Sequence, residues 1–100
     1  MKNVKISHNP YIVTSEIIVD GVPTASNGRF GQYLNERFQL WVDKIPEMLV
    51  DEYNDDEFNI NFHGTEIDYQ DLVAAVESAH LKDSELNFTL TWEKAKDFNE

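Results

Sequence analysis

The side chains that could carry chemistry in this chain are three histidines, nineteen carboxylates and the hydroxyls; cysteine is missing altogether. That absence removes a thiol nucleophile, a disulfide framework and any cysteine-ligated zinc or iron–sulfur centre. His8, His63 and His80 have no metal-ligand spacing among them. His63 is the best placed for proton transfer, because Gly64, Thr65, Glu66 and Asp68 follow it and a histidine beside carboxylates at a strand end could act as a general base. The same residues also read as a wetted strand end, with Gly64 supplying a turn and Thr65 capping a helix. No nucleophile elbow, phosphate loop, dinucleotide fingerprint or zinc-protease motif accompanies His63. No catalytic residue is therefore assigned, and a non-enzymatic protein is expected.

The run Asp51-Glu52-Tyr53-Asn54-Asp55-Asp56-Glu57 offers oxygen ligands. An EF-hand loop needs them at alternate positions, with glycine sixth and glutamate twelfth, and no start within this run complies. Neither a metal nor a cofactor is expected. Gly28-Arg29-Phe30-Gly31 has the spacing of a clamp loop but reads as a loop entering a helix.

The elements that must position these groups follow from periodicity. Phe58-Asn59-Ile60-Asn61-Phe62-His63 alternates, with Phe58, Ile60 and Phe62 on one face; Leu86 to Trp92 repeats the pattern. Both predict strands with one buried and one wetted face. Tyr11–Val19 is rich in β-branched residues, and Asp20-Gly21 signals a hairpin into Val22-Pro23-Thr24. A further strand fits Asn3–Ser7, ended by the Asn9-Pro10 turn. Phe30, Tyr33, Leu34, Phe38, Trp41, Val42 and Ile45 have helical spacing over four turns, capped by Ser26 or Asn27. Pro46 breaks that helix and opens a short second one, Glu47 to about Tyr53. Thr65 caps a third, carrying Tyr69, Leu72, Val73, Val76 and Ala79 and ending near His80. The Phe62–Leu86 connection is long enough for a parallel crossover.

The fold class expected is α+β: a two-layer sandwich with all helices on one face of a four- to five-stranded sheet, a β-grasp-like arrangement being a close variant. One hundred residues suit a single domain, taken as 1–92, with 93–100 as a tail or linker. Neither a secretion signal nor a stretch of about 20 apolar residues is present, so a cytoplasmic location is expected.

The formal net charge of −11 argues against direct binding to nucleic acid or to anionic membranes, both of which need cationic neutralisation. It is not spread evenly. Between Asp43 and Glu77 eleven carboxylates face the single Lys44, a balance of −10, while the remainder is nearly neutral. Glu66, Asp68 and Asp71 suit a helix N-terminus, and Asp55 and Asp56 suit a turn. Crowded like charges repel, and a complementary basic protein surface would relieve them and speed encounter. The expected partner-binding residues are Asp51, Glu52, Asp55, Asp56 and Glu57, with Glu47, Asp68 and Asp71 behind them. The polar strand face Asn59, Asn61, Asn87, Thr89 and Thr91 is the rival surface. Neither one fixes an oligomeric state.

In size and charge the chain resembles small acidic DNA-mimic inhibitors, phage-encoded anti-CRISPR proteins among them. That resemblance implies carboxylates standing in for phosphates in a cationic groove. Separately, Phe62-His63-Gly64-Thr65-Glu66-Ile67-Asp68-Tyr69-Gln70-Asp71-Leu72, with Asp51-Glu52-Tyr53-Asn54 before it, resembles short N-terminal modules preceding larger domains in bacterial proteins, dynamin-like GTPases included. This second likeness implies an adaptor or regulatory module.

Overall fold

A computed structural model describes residues 1–24 and 30–95. The chain forms an α+β domain around a five-stranded mixed sheet with two α-helices. Its strands are β1 (Lys2–Asn9), β2 (Thr14–Val19), β3 (Val22–Pro23), β4 (Glu57–Gly64) and β5 (Asn87–Lys94), and its helices are α1 (Ile45–Tyr53) and α2 (Glu66–Lys82). Across the sheet the order is β3-β2-β1-β4-β5. β1 is antiparallel to β2 and parallel to β4, and β4 is parallel to β5. Among the described residues no helix is long and apolar enough to cross a membrane.

Strand alternation sets the core. Val4 and Ile6 of β1, Ile17 and Val19 of β2, and Phe58, Ile60 and Phe62 of β4 are buried on one face. On the other face Asn59 donates to Asn3, and Asn61 donates to Thr91 at 2.9 Å. β1 runs further in both directions than the expected Asn3–Ser7. Tyr11–Val13 is turn rather than strand, and Val13 takes a positive φ of 49°. The hairpin turn is as expected: Asp20 and Gly21 have φ of 50° and 83°, the left-handed pair that matches strand twist.

The four-turn helix expected from Phe30 does not form. In its place stand three short 3₁₀ turns, Phe30–Tyr33, Phe38–Leu40 and Val42–Lys44. Arg37 is extended (φ −58°, ψ 135°), and Trp41 has φ −138°, so the helical ladder is cut twice. Gly31 and Asn35 are poor helix formers, and the aromatics lose rotamer freedom in a helix. Successive single turns bury the same residues: Phe30, Phe38, Trp41, Val42 and Ile45 all reach the core. The expected Ser26 or Asn27 cap and the first half of the Gly28–Gly31 loop lie outside the described residues, and Phe30 and Gly31 belong to the first 3₁₀ turn.

α1 begins at Ile45 with Pro46 in its first turn, where a missing N–H costs nothing, and ends at Asn54 in the left-handed conformation. α2 starts at Thr65, whose hydroxyl accepts from the Asp68 amide. β5 continues to Lys94 and Ala95 is buried, so packing extends past the boundary expected at residue 92; residues 96–100 lie outside the description.

Gly64 is required for space and not for turn geometry. A Cβ there would meet the Phe62 ring at 2.8 Å and the His8 carbonyl oxygen at 3.2 Å, and Phe62 is fully buried. Gly64→Ala should destabilise the domain by about 1–3 kcal/mol, as overpacking does. Denaturant titration checks this, and an unchanged midpoint would show that the ring yields freely.

Candidate functional site

Three groupings of polar side chains emerge. The first is internal, where the C-terminal ends of β1 and β4 meet the start of α2. His8 and Asp68 are each 2% exposed and Ser15 is 5% exposed. His8 continues the inward row Val4, Ile6, and its Nδ1 shares a 2.6 Å hydrogen bond with Ser15 Oγ. Asp68 is held by Gln39 Nε2, which donates to Oδ1 at 2.6 Å, and by the Thr65 hydroxyl, which donates to Oδ2 at 3.0 Å. Trp92 Nε1 donates to the Gly64 carbonyl at 3.0 Å and closes the end of the sheet. Serine, histidine and aspartate are thus near neighbours, but the carboxylate is engaged by Gln39 and Thr65, and the His8 ring packs against Phe38. The grouping is a satisfied internal network of the kind that fixes a unique core.

Asp68 was expected on the acidic surface, and its burial removes it from there. Its first-turn position suited helix polarity, but that turn faces the sheet end. Sequence alone did not single out His8, although its parity with Val4 and Ile6 was a usable signal.

The second grouping crosses the open face. Strand register aligns Glu16, Ser7, His63 and Glu93 in one row over four strands. Among the described residues no hydrogen bond joins Ser7 to His63 or His63 to Glu93. His63 therefore sits on the wetted face with no nucleophile held against it. Among the described residues no three His, Asp or Glu side chains converge to hold a metal ion.

The third grouping lies between the helices. α1 and α2 flank a groove of about 500 Å3. Asp43, Glu47 and Asp51 line one wall at successive four-residue steps, so they share a flank. Asp83 closes one end, and Lys82 is the only cation among the lining residues. The floor is apolar: Pro46, Val50, Ala75, Ala79 and Leu86.

The structure thus brings Glu47 and Asp51 together, and adds Asp43 to them. Glu52, Asp56 and Glu57 are exposed around the end of α1 and the start of β4, and Asp71 is half-buried on α2. Asp55 is committed to a turn: its carboxylate accepts from the Asp56 amide at 2.7 Å and the Glu57 amide at 3.2 Å, and these bonds hold its carboxyl below the usual range. Compared with models of known protein families, with curated proteins and with solved structures, the chain gives no match.

The internal network makes stability depend on pH. Burial pushes the His8 imidazole below its ordinary 6.5, opposed by the Asp68 charge. The unfolded chain then takes up that proton first, and stability falls as pH drops through about 6.5 towards the lowered folded value. Asp68 acts oppositely: burial pushes its carboxyl up against the Thr65 hydrogen bond and the His8 charge, so its penalty is relieved in acid. His8→Gln retains a polar partner for Ser15 but does not titrate. Between about pH 7.5 and about pH 5.5 the native chain should lose stability relative to this variant. Parallel pH profiles of the two unfolding midpoints would show that His8 is not the group responsible.

Proposed function

We propose that this is a non-enzymatic interaction domain whose acidic groove between α1 and α2 receives a basic, amphipathic element of another protein. The observation that carries the reading is the pairing of a carboxylate wall, Asp43, Glu47 and Asp51, with the apolar floor Pro46, Val50, Ala75 and Ala79. A solvated acidic surface needs no apolar floor. A basic helix with one apolar face needs both, since floor contacts supply affinity while the carboxylates steer encounter and select charge.

Where the basic surface normally holds nucleic acid, occupation by this domain excludes the nucleic acid, and the protein acts as an inhibitor. Glu47 and Asp51, four residues apart on α1, lie about 6 Å apart along its axis. A row of closely spaced carboxylates supports phosphate mimicry as the form of the inhibition. The site is the Asp43–Asp51 wall together with Glu52, Asp56 and Glu57, and a cytoplasmic setting belongs to the same reading.

An adaptor role is the second reading, favoured by the open sheet face. A two-layer arrangement with helices on one side leaves Asn59, Asn61, Asn87, Thr89 and Thr91 available to a neighbouring domain. Cross-strand hydrogen bonds from Asn59 to Asn3 and from Asn61 to Thr91 hold part of that face in a fixed pattern.

Titration with a synthetic helical peptide bearing lysines on one face and leucines on the other separates these readings. Binding should weaken with salt, and Asp43→Lys combined with Glu47→Lys should weaken it about tenfold or more, roughly 1.4 kcal/mol. Glu52→Lys alone should matter less, because Glu52 lies outside the groove. A peptide insensitive to the double reversal, or chemical-shift changes centred on Asn61 and Thr89, would overturn the groove as the docking site.

A further inference from the structure

We propose that β5 is a self-association edge, along which a second copy of this chain pairs antiparallel about a two-fold axis at Leu90. This inference is independent of the groove and uses the opposite side of α2.

β5 is an eight-residue edge strand with no further strand beyond it among the described residues. In a parallel pair alternate residues turn their main-chain groups to one neighbour. The Asn87 amide donates to Asp56 and the Ala95 amide to Gly64, so odd-numbered residues face β4. The amide and carbonyl groups of Phe88, Leu90, Trp92 and Lys94 consequently point away from the sheet. Protein edges are normally blunted by proline, by brevity or by charge. The opposite edge has such protection, since β3 is two residues long and contains Pro23. β5 has none over Asn87–Trp92, where no charge and no proline occur.

The side chains along this edge are unfinished in the same way. Phe88, Leu90 and Trp92 lie on the core side yet are only partly buried. Beside them α2 leaves Ile67 71% and Leu81 86% exposed. Ile67 shares a groove with Trp92 at one end of β5, and Leu81 shares one with Phe88 at the other.

A two-fold axis at Leu90 completes each of these at once. Leu90 meets its own copy, Phe88 meets Trp92 and Thr89 meets Thr91, so residues with outward main-chain groups face one another. Asn87 meets Glu93, and no like charges stand opposite, which would be destabilising. The operation brings the Ile67–Trp92 end of one copy to the Leu81–Phe88 end of the other, apolar against apolar. It also sets the acidic first turn of α2 (Glu66) towards the basic last turn (His80 and Lys82) of the second copy. An extended foreign peptide could use the outward amides, but it would have no reason to match Ile67 with Leu81. The self-complementary placement favours a second copy as the occupant.

The experiment is light scattering and sedimentation over a concentration series, with residue-resolved amide exchange on the same samples. A dimer is expected, in which the Phe88, Leu90 and Trp92 amides are protected and lose protection on dilution. The Thr89 and Thr91 amides, bonded to β4, should stay protected throughout. Leu81→Asp and Ile67→Asp replace exposed side chains, leave the monomer folded and should each weaken association about tenfold or more. A monomer at millimolar concentration would overturn the proposal. So would a dimer in which the three even-numbered amides exchange freely, since its interface must lie elsewhere.

Discussion

The parallel pairing of β1 with β4 is the constraint on which the remainder of the structure depends. It joins residues more than fifty positions apart, Val4 to Ile60 and Ile6 to Phe62, and places the first strand in the middle of the sheet. Loop-closure entropy opposes such a contact until side-chain burial offsets it. Burial is supplied by the inward rows of the two strands and by the aromatic chain laid over them. Phe62 contacts Phe38, Phe38 meets Trp41 edge-on, and Tyr69 lies between Phe62 and Trp92. Without this pairing the β2–β3 hairpin and the β4–α2–β5 unit would have no common core. The same pairing carries His8 and Gly64 to one end of the sheet, which is why Gly64 has no room for a side chain and His8 no access to water.

Strands were legible in the sequence because period-two alternation is a local signal, and the Asp20-Gly21 turn and the Thr65 cap are local too. The failures came where a local pattern has two structural solutions. Apolar residues from Phe30 to Ile45 are spaced for a helix, yet three tight turns bury most of the same set, and the packing of Phe38 against Phe62 of β4, with Trp41 against Phe38, selects between them. Asp68 shows the same limit for the site. A carboxylate in the first turn of a helix is usually solvated, and nothing near it in sequence reveals that this turn abuts the end of β1. The surface acids could be placed because α1 is short and its exposed flank follows from Pro46 and the buried Ile45, Met48 and Leu49. Which of them share a groove depended on where α2 lies.

The distribution of charge is better understood as a partition than as an excess. Carboxylates accumulate on α1 and the turn after it, where water screens them and the Asp55 carboxylate accepts from the backbone. Lys2 compensates part of the field near the start of β1: it pairs with Asp20 at 3.4 Å and lies over the Tyr53 ring. Exposed pairs of this kind contribute little stability, so the acids are tolerated mainly because they are solvated and away from the core. Among the described residues Asp68 is the carboxylate that entered the core: burial pushes its carboxyl above the ordinary range, and two side-chain donors satisfy it.

α2 is where these threads meet. Its apolar residues are spread around the helix instead of forming a single stripe: Leu72 and Val76 face the sheet, Ala75 and Ala79 floor the groove beside α1, and Ile67 and Leu81 stand in solvent. A helix with one neighbour would concentrate them. Three separate groups imply three surfaces to be covered. The sheet covers the first and α1 only rims the second, while the third has no cover within the described chain. Small side chains at Ala75, Ser78 and Ala79 keep the α1 side open as a groove, whereas large ones at Ile67 and Leu81 extend the β5 side outwards. The two flanks therefore differ in shape as well as polarity, one concave and acidic, the other projecting and apolar. The proposed basic element and the proposed second copy of the chain would occupy them without competing for α2, and pairing through β5 would present two acidic grooves in one assembly.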